Sequence, residues 1–268
     1  MATPTPALRI AIAQTPMQWT TAGNLAVIER AMALASARGA AICVFSELAV
    51  TGFHRQIRAE AVPEKVEPAV ARIQALCKAL NMACGLGAPT FAAGGAVYNS
   101  YLHIDEHGVL VGRVDKTGLT VAEATFFHGG RGRPVWMLQG RRTSTVLCRE
   151  VEDTALVLHH LPAGSADLIF LPGLLGRAPD GEVGADIPAL SRQLACESKA
   201  WLLQCNWPQA LNLPPDSPRQ ADLGGSRVHS PGGELVLRLP MQMPGVATFD
   251  LGATEFTWDA LADPAARG

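Results

Sequence analysis

Arg142-Thr-Ser-Thr-Val-Leu-Cys148-Arg-Glu150 is a short run of β-prone residues that carries a cysteine to its end and turns at once into a segment with helical spacing. Two other stretches end in a comparable way. Ala41-Ile-Cys-Val-Phe-Ser46 is an apolar strand that reaches Glu47, and Val109-Leu-Val-Gly-Arg-Val-Asp115 reaches Lys116. Three strand ends thus offer a carboxylate, an ammonium and a thiol in that chain order. A thiol attacks only as thiolate, so a nucleophilic Cys148 needs a base for its proton and a cation for the charge that develops on its target. Glu47 and Lys116 are residues of those types. A Cys148 activated in this way is expected to have a low pKa and to react with thiol reagents faster than the chain's other five cysteines.

Outward from these ends the pattern alternates. Leu8–Gln14 reads as a buried strand, Asn24–Arg38 as a helix ended by Gly39, 41–46 as a strand, Glu64–Leu80 as a helix and Ala83–Ala88 as a strand. Two hairpins follow, Val97–Ile104 with Val109–Val114 and Arg133–Leu138 with Arg142–Cys148. The irregular segment between them, Thr117 to Arg131, contains Glu123. The alternation then resumes: a helix over Glu152–Leu161, a strand over Asp167–Leu171, a helix over Ile187–Lys199 and a strand over Trp201–Asn206. A last hairpin, Ser226–Leu239, leads to a strand over Val246–Leu251 and a short tail. Helices alternating with apolar strands and interrupted by hairpins predict a mixed sheet system with helices outside, as two sheets packed face to face under two helical layers. At 268 residues and 48% hydrophobic, the chain can bury one large core, and residues 1–268 are expected to form a single domain.

Composition narrows the function. A net charge of -2 without basic blocks provides no field for nucleic acid or for an anionic membrane, so the expected partners are a small-molecule substrate and other copies of the chain. No stretch approaches the ~18 apolar residues of a membrane span, and the start, Met-Ala-Thr-Pro-Thr-Pro, has no leader pattern; a cytoplasmic protein is expected. The six cysteines are widely spaced with no C-x-x-C pair, which argues against a disulfide framework and structural zinc. His159-His160 are adjacent and point to different helix faces, so no metal and no cofactor is expected. A nucleophile elbow would require small residues two places either side of Cys148, where Val146 and Glu150 stand.

These residues together resemble the nitrilase, or carbon-nitrogen hydrolase, superfamily. The likeness spans nearly the whole chain. It runs through Leu8-Arg-Ile-Ala-Ile-Ala-Gln14, Gly39 to Glu47 with Gly52-Phe53, Gly112-Arg-Val-Asp-Lys116, Glu123 with Phe127 and Gly129, and Cys148-Arg-Glu150. It continues through Ala166-Asp-Leu-Ile-Phe-Leu-Pro172 and Gly225-Ser-Arg227 with Pro231-Gly-Gly233. The resemblance implies a four-layer αββα sandwich of two mixed β-sheets flanked by helices. It also implies that Glu47 is the base, Cys148 the nucleophile and Lys116 the holder of developing charge, with Glu123 orienting Lys116 or the substrate. Phe53, Arg149 and Asn206 are its implied substrate contacts. The implied reaction is hydrolysis of a small linear amide to acid and ammonia through a thioester. An N-carbamoyl group, a nitrile and a catalytically silent binding protein stay open beside it. Arg149 stands where the family carries an aromatic residue. Turned inward it would hold a substrate carboxylate, and turned outward it would pair with Glu150 or Glu152. The family's pairing through the helix after the nucleophile implies a homodimer or higher homo-oligomer, with Ala155, Leu156, Leu158 and Leu161 as contacts.

Overall fold

The computed structural model of the chain describes residues 7–176 and 185–261. The stretch Met1 to Pro6 and the last seven residues of the tail read from the sequence lie outside them. In chain order the first half comprises β1 (Arg9–Gln14), α1 (Thr21–Ala37), β2 (Ile42–Val44), α2 (Ile57–Glu60), α3 (Pro63–Leu80), β3 (Ala83–Phe91), β4 (Val97–Ile104) and β5 (Leu110–Asp115). The second comprises β6 (Trp136–Leu138), β7 (Arg141–Thr145), α4 (Thr154–His160), β8 (Leu168–Gly173), α5 (Ile187–Ser198), β9 (Trp201–Asn206), β10 (Arg227–His229), β11 (Leu235–Arg238), β12 (Gly245–Asp250) and β13 (Thr257–Ala260).

These strands form two mixed sheets, in the orders β13-β12-β1-β2-β3-β4-β5 and β11-β10-β9-β8-β7-β6. Each has the same plan. A parallel trio, β1-β2-β3 or β7-β8-β9, sits at the centre, with antiparallel strands added at both edges. Helices connect the parallel strands because a parallel pair needs a crossover. Three apolar clusters fill the three interfaces of the four-layer sandwich. Ala11, Cys43, Phe45 and Leu86 meet Ile28 and Met32 of α1 and Ile73 of α3 on the outer face of the first sheet. Ile10, Ile12, Ile42 and Tyr101 meet Leu168, Phe170 and Leu203 between the sheets. Ile169, Leu171 and Leu202 meet Val157 of α4 and Leu194 of α5. Both faces of the central strands are therefore buried. That is why they read as unbroken apolar runs rather than as alternating ones.

The predicted αββα sandwich is the observed fold. Local differences have local causes. β13, in the stretch read as tail, is only four residues long, and its main apolar contribution is Trp258, whose ring covers Gly245 of β12 so closely that a Cβ there would lie 2.2 Å from it. The segment after β7 begins as a tight 3-10 turn, Cys148–Glu152, before α4 starts with Asp153 accepting from the Leu156 N–H at 3.0 Å. Leu161, expected among the contacts with another copy, is buried against the second sheet, whereas Ala155 and Leu156 face outward.

Candidate active site

The parallel strands deliver their ends to one side of the sandwich, where open sheets of this kind bind ligands. β2 runs into Phe45-Ser46-Glu47, and the chain turns sharply there with Leu48 at φ 52°. Gly87 of β3 permits that turn, because a Cβ on it would lie 2.3 Å from the Leu48 nitrogen and 2.4 Å from the Ser46 oxygen. The Trp207 indole N–H donates to the Glu47 carbonyl at 2.9 Å and the Tyr101 hydroxyl to the Phe45 carbonyl at 2.8 Å, which fixes the turn from both sheets' sides. β5 delivers Lys116, whose backbone N–H donates to the Asn99 carbonyl at 2.8 Å. β7 delivers Cys148, also at positive φ, 54°, a strained backbone of the kind that clusters at functional sites. Gly173 of β8 leaves room for it, since a Cβ there would come within 3.2 Å of the Cys148 Cα.

The structure brings four of the predicted residues into one dry cell. Glu47, Lys116, Cys148 and Glu123 are 0, 1, 4 and 6% exposed. The Lys116 ammonium donates to Glu47 Oε1 at 2.8 Å and to Glu123 Oε1 at 2.6 Å. Glu123 is held in turn by the Thr120 N–H on its other oxygen at 2.9 Å. The sequence reading missed Asn99, whose side-chain Nδ2 donates to Glu47 Oε1 at 2.8 Å. Both bonds to Glu47, from Lys116 and from Asn99, fall on Oε1; Oε2 is buried without a hydrogen-bond partner. An acceptor left open in a cell that also holds a thiol is placed for proton transfer.

The electrostatics are those of a tightly coupled group. Burial raises the Glu47 pKa, Lys116 and Asn99 oppose the rise, and Glu123 adds to it. For Lys116 burial works against the charge, but Glu47, Cys148 and Glu123 together outweigh it and raise the pKa. The Cys148 thiol is pushed up, first by burial and then by Glu47; Lys116 and a hydrogen bond from the Leu174 backbone pull the other way. The expected low-pKa, fast-labelling thiol is therefore corrected. At rest Cys148 is a buried neutral thiol, and the exposed cysteine is Cys196.

The remaining sequence-predicted contacts are placed differently. Phe53 is partly buried and packs against the apolar cluster on the outer face of the first sheet. Arg149 points outward, with its guanidinium on Glu152 at 2.7 and 3.1 Å, so it is not an acyl-pocket residue here. Asn206 is buried, and its amide is occupied by protein: Nδ2 donates to the Leu175 and Gly224 carbonyls at 2.7 and 3.0 Å, and Oδ1 accepts from the Leu175 N–H at 2.8 Å. It clamps the strand-end loop after β8 instead of facing a ligand. Among the described residues no group of three or more His, Cys, Asp or Glu side chains is placed to hold a metal ion, and no helix is long and apolar enough to cross a membrane.

Two mixed sheets between helical layers, with these strand-end residues gathered together, define a hydrolase of the nitrilase superfamily acting on carbon-nitrogen bonds other than peptide bonds. The chain belongs to the carbon-nitrogen hydrolase family, whose sequence pattern it matches over residues 9–255. Among solved structures it is similar to a cysteine-to-alanine mutant of the nitrilase-superfamily amidase of Nesterenkonia AN1, at 25% identity and TM-score 0.76 over 92% of each chain. A second similar structure is the glutamate-to-glutamine mutant of that amidase, carrying the acetamide moiety of fluoroacetamide on its active-site cysteine (25% identity, TM-score 0.77, 93% of this chain and 92% of that one). A third is a cysteine-to-alanine mutant with butyramide (25% identity, TM-score 0.75, 91% and 90%). No curated relative matches the chain.

Proposed function

We propose that this hydrolase converts a small linear amide to the acid and ammonia, with Cys148 as nucleophile. The observation that carries the reading is the open Oε2 of Glu47, buried in the same cell as the thiol and the Lys116 ammonium. Glu47 takes the thiol proton as sulfur attacks the amide carbonyl, so the thiolate forms only with substrate present. Lys116 and the Arg149 backbone N–H hold the charge that develops on the carbonyl oxygen. Glu47 passes the proton to the leaving nitrogen; the C–N bond breaks and ammonia departs from a thioester. A water that gives its proton to Glu47 then attacks the thioester, and acid and thiol are released. Glu123 keeps Lys116 pointed at this centre, and residues 1–268 act as one catalytic domain.

The amide class is supported by the Nesterenkonia enzyme, which holds butyramide and carries an acetamide moiety on its cysteine. An uncharged acyl group is supported by the commitment of Arg133 and Arg149 to Glu150 and Glu152. Two copies pair through the outward side of α4, at Ala155 and Leu156, and the protein works in the cytoplasm; light scattering across micromolar concentrations tests the pairing, and a monomer mass throughout overturns it.

The deciding assay is ammonia release from a panel of acetamide, propionamide, butyramide, an N-carbamoyl amino acid and butyronitrile, with wild type and Cys148→Ala. Turnover of the amides, abolished in Cys148→Ala, is expected. A mutant that retains turnover above background removes the cysteine mechanism, and turnover of the carbamoyl compound or the nitrile alone moves the substrate class.

A further inference from the structure

Glu150 lies two residues beyond the thiol, is 5% exposed, and is the most heavily bonded carboxylate near the site. Its two oxygens serve two different parts of the chain. Oε1 accepts from the Thr117 N–H at 2.6 Å, the Thr117 hydroxyl at 2.8 Å and the Gly118 N–H at 2.9 Å, all on the residues that directly follow Lys116. Oε2 accepts from the N–H of Leu147, the residue directly before Cys148, at 2.7 Å, and from Arg133 Nη1 at 2.8 Å. Arg133 is 4% exposed and closes the ring by donating through Nη2 to the Thr117 hydroxyl at 3.0 Å. Burial alone would raise the Glu150 pKa, but Arg133 and the Gly118 and Leu147 N–H groups hold it below the usual carboxylate range, so the bridge stays ionised. Gly118 fits closely on this side chain: a Cβ there would sit 3.1 Å from the Glu150 Cγ.

We infer that Glu150, held by Arg133, is a positioning residue that ties the strand end of Cys148 to the strand end of Lys116 and so sets the separation between thiol and ammonium. It touches neither substrate nor sulfur. The two strand ends belong to different sheets, β5 to the first and β7 to the second; the packing between the sheets is largely apolar, and the hydrogen bonds that cross it from His103 to Thr143 and Thr145 lie away from these two ends. One carboxylate bonded to both ends supplies the directional constraint that apolar packing lacks. The inference rests on the reading that Cys148 and Lys116 perform the chemistry.

The test is Glu150→Gln, which keeps the shape but has only one acceptor oxygen, so either the Lys116 side or the Cys148 side loses its acceptor. Expected for ammonia release from propionamide is a fall in kcat of about 100-fold, the scale of an ångström's misplacement, with KM within about threefold because the substrate contacts are intact. Thr117→Val removes the hydroxyl's two bonds in the bridge, to Glu150 and from Arg133, while the Thr117 N–H still donates to Glu150, and it is expected to lower kcat about tenfold; it serves if Glu150→Gln does not fold.

The acid limb of kcat/KM separates positioning from simple destabilisation. Glu47 faces Lys116, Glu123, Asn99 and Cys148, and of the charged groups only the Lys116 cation favours its ionised form. A displaced Lys116 therefore moves the limb to higher pH, whereas a smaller active fraction lowers the curve without moving it. A folded Glu150→Gln or Thr117→Val enzyme with wild-type kcat, or one that is slower with an unmoved limb, overturns the inference. Cys148→Ala run alongside keeps the two ideas apart: retained activity there removes the underlying mechanism, whereas an inactive Cys148→Ala beside a fully active Glu150→Gln removes only the bridge.

Discussion

His103 and Lys116 are two basic side chains that are buried in this molecule and meet opposite fates. His103 of β4 sits in the interface between the sheets, its ring nitrogens each 3.0 Å from a hydroxyl, Thr143 and Thr145 of β7, and its face stacked on Phe170. Burial drives its pKa down to about 3, so it is neutral. Lys116, a short way along the same sandwich, is as dry, yet its pKa is raised because Glu47, Cys148 and Glu123 outweigh burial. The difference lies in the neighbours rather than the depth. Hydroxyls satisfy hydrogen bonds but do not stabilise a charge in a low dielectric, whereas two carboxylates within 2.8 Å do. Buried charge in this fold sits directly against an opposite charge, as Lys116 does with Glu47 and Glu123 and Arg133 does with Glu150.

Lys116→Met is the most damaging way to break this contrast. It removes the cation from two buried carboxylates, and we expect activity to fall about 10³-fold and stability by about 3–5 kcal/mol at neutral pH. Because Glu47 then takes up a proton readily, the stability deficit should shrink as pH falls from 8 to 5. A deficit that does not change with pH would show that the carboxylates carry no charge in the wild type.

His103→Phe should leave amide turnover unchanged and cost about 1–3 kcal/mol, since the Thr145 hydroxyl loses its partner; Thr143 still donates to the Trp136 carbonyl at 3.1 Å. The sign of its pH effect follows from linkage. Between the unfolded value of 6.5 and the folded value of about 3, the unfolded chain binds the proton and the native one does not. His103 therefore subtracts stability as pH falls through that window, by up to about 1.4 kcal/mol per pH unit. Denaturant midpoints for wild type and His103→Phe should converge as pH falls below 6.5, cross about 1–2 units lower and then reverse, with the variant the more stable at the acid end; parallel curves would mean that the fold does not lower the His103 pKa. Arg149→Ala probes the exposed extreme. Its pair with Glu152 is solvated, so a change of about 0–1 kcal/mol is expected, with kcat/KM for propionamide unaltered; a large loss would place that guanidinium in the site.

The strand ends were legible because each combines an apolar run with a reactive residue that such a run does not need, as in Phe-Ser-Glu47, Val-Asp-Lys116 and Val-Leu-Cys148. The family resemblance added Glu123, which sits in an irregular segment with no pattern of its own. Asn99 was hidden in the middle of a strand, Val97-Tyr-Asn-Ser-Tyr101, where its reach across to Glu47 depends on β4 lying next to β3. Arg149 and Asn206 lay in recognisable motifs, but side-chain direction is decided by partners: Glu152 for one, Leu175 and Gly224 for the other. The thiol's pKa was misjudged for the same reason. Residue types supply a base and a cation, whereas burial, the largest influence on Cys148, belongs to the assembled fold.

The thioester on Cys148 is the species that distinguishes cysteine catalysis from a catalytically silent binding protein. The direct measurement is peptide mass spectrometry of the wild type, in excess over propionamide, quenched in acid within a turnover. A propionyl group on the Cys148 peptide, absent from Cys148→Ala and from the peptides of the other cysteines, is the expected result. Ammonia released at the normal rate with no acyl group on Cys148, or an acyl group on another residue, would contradict the assignment.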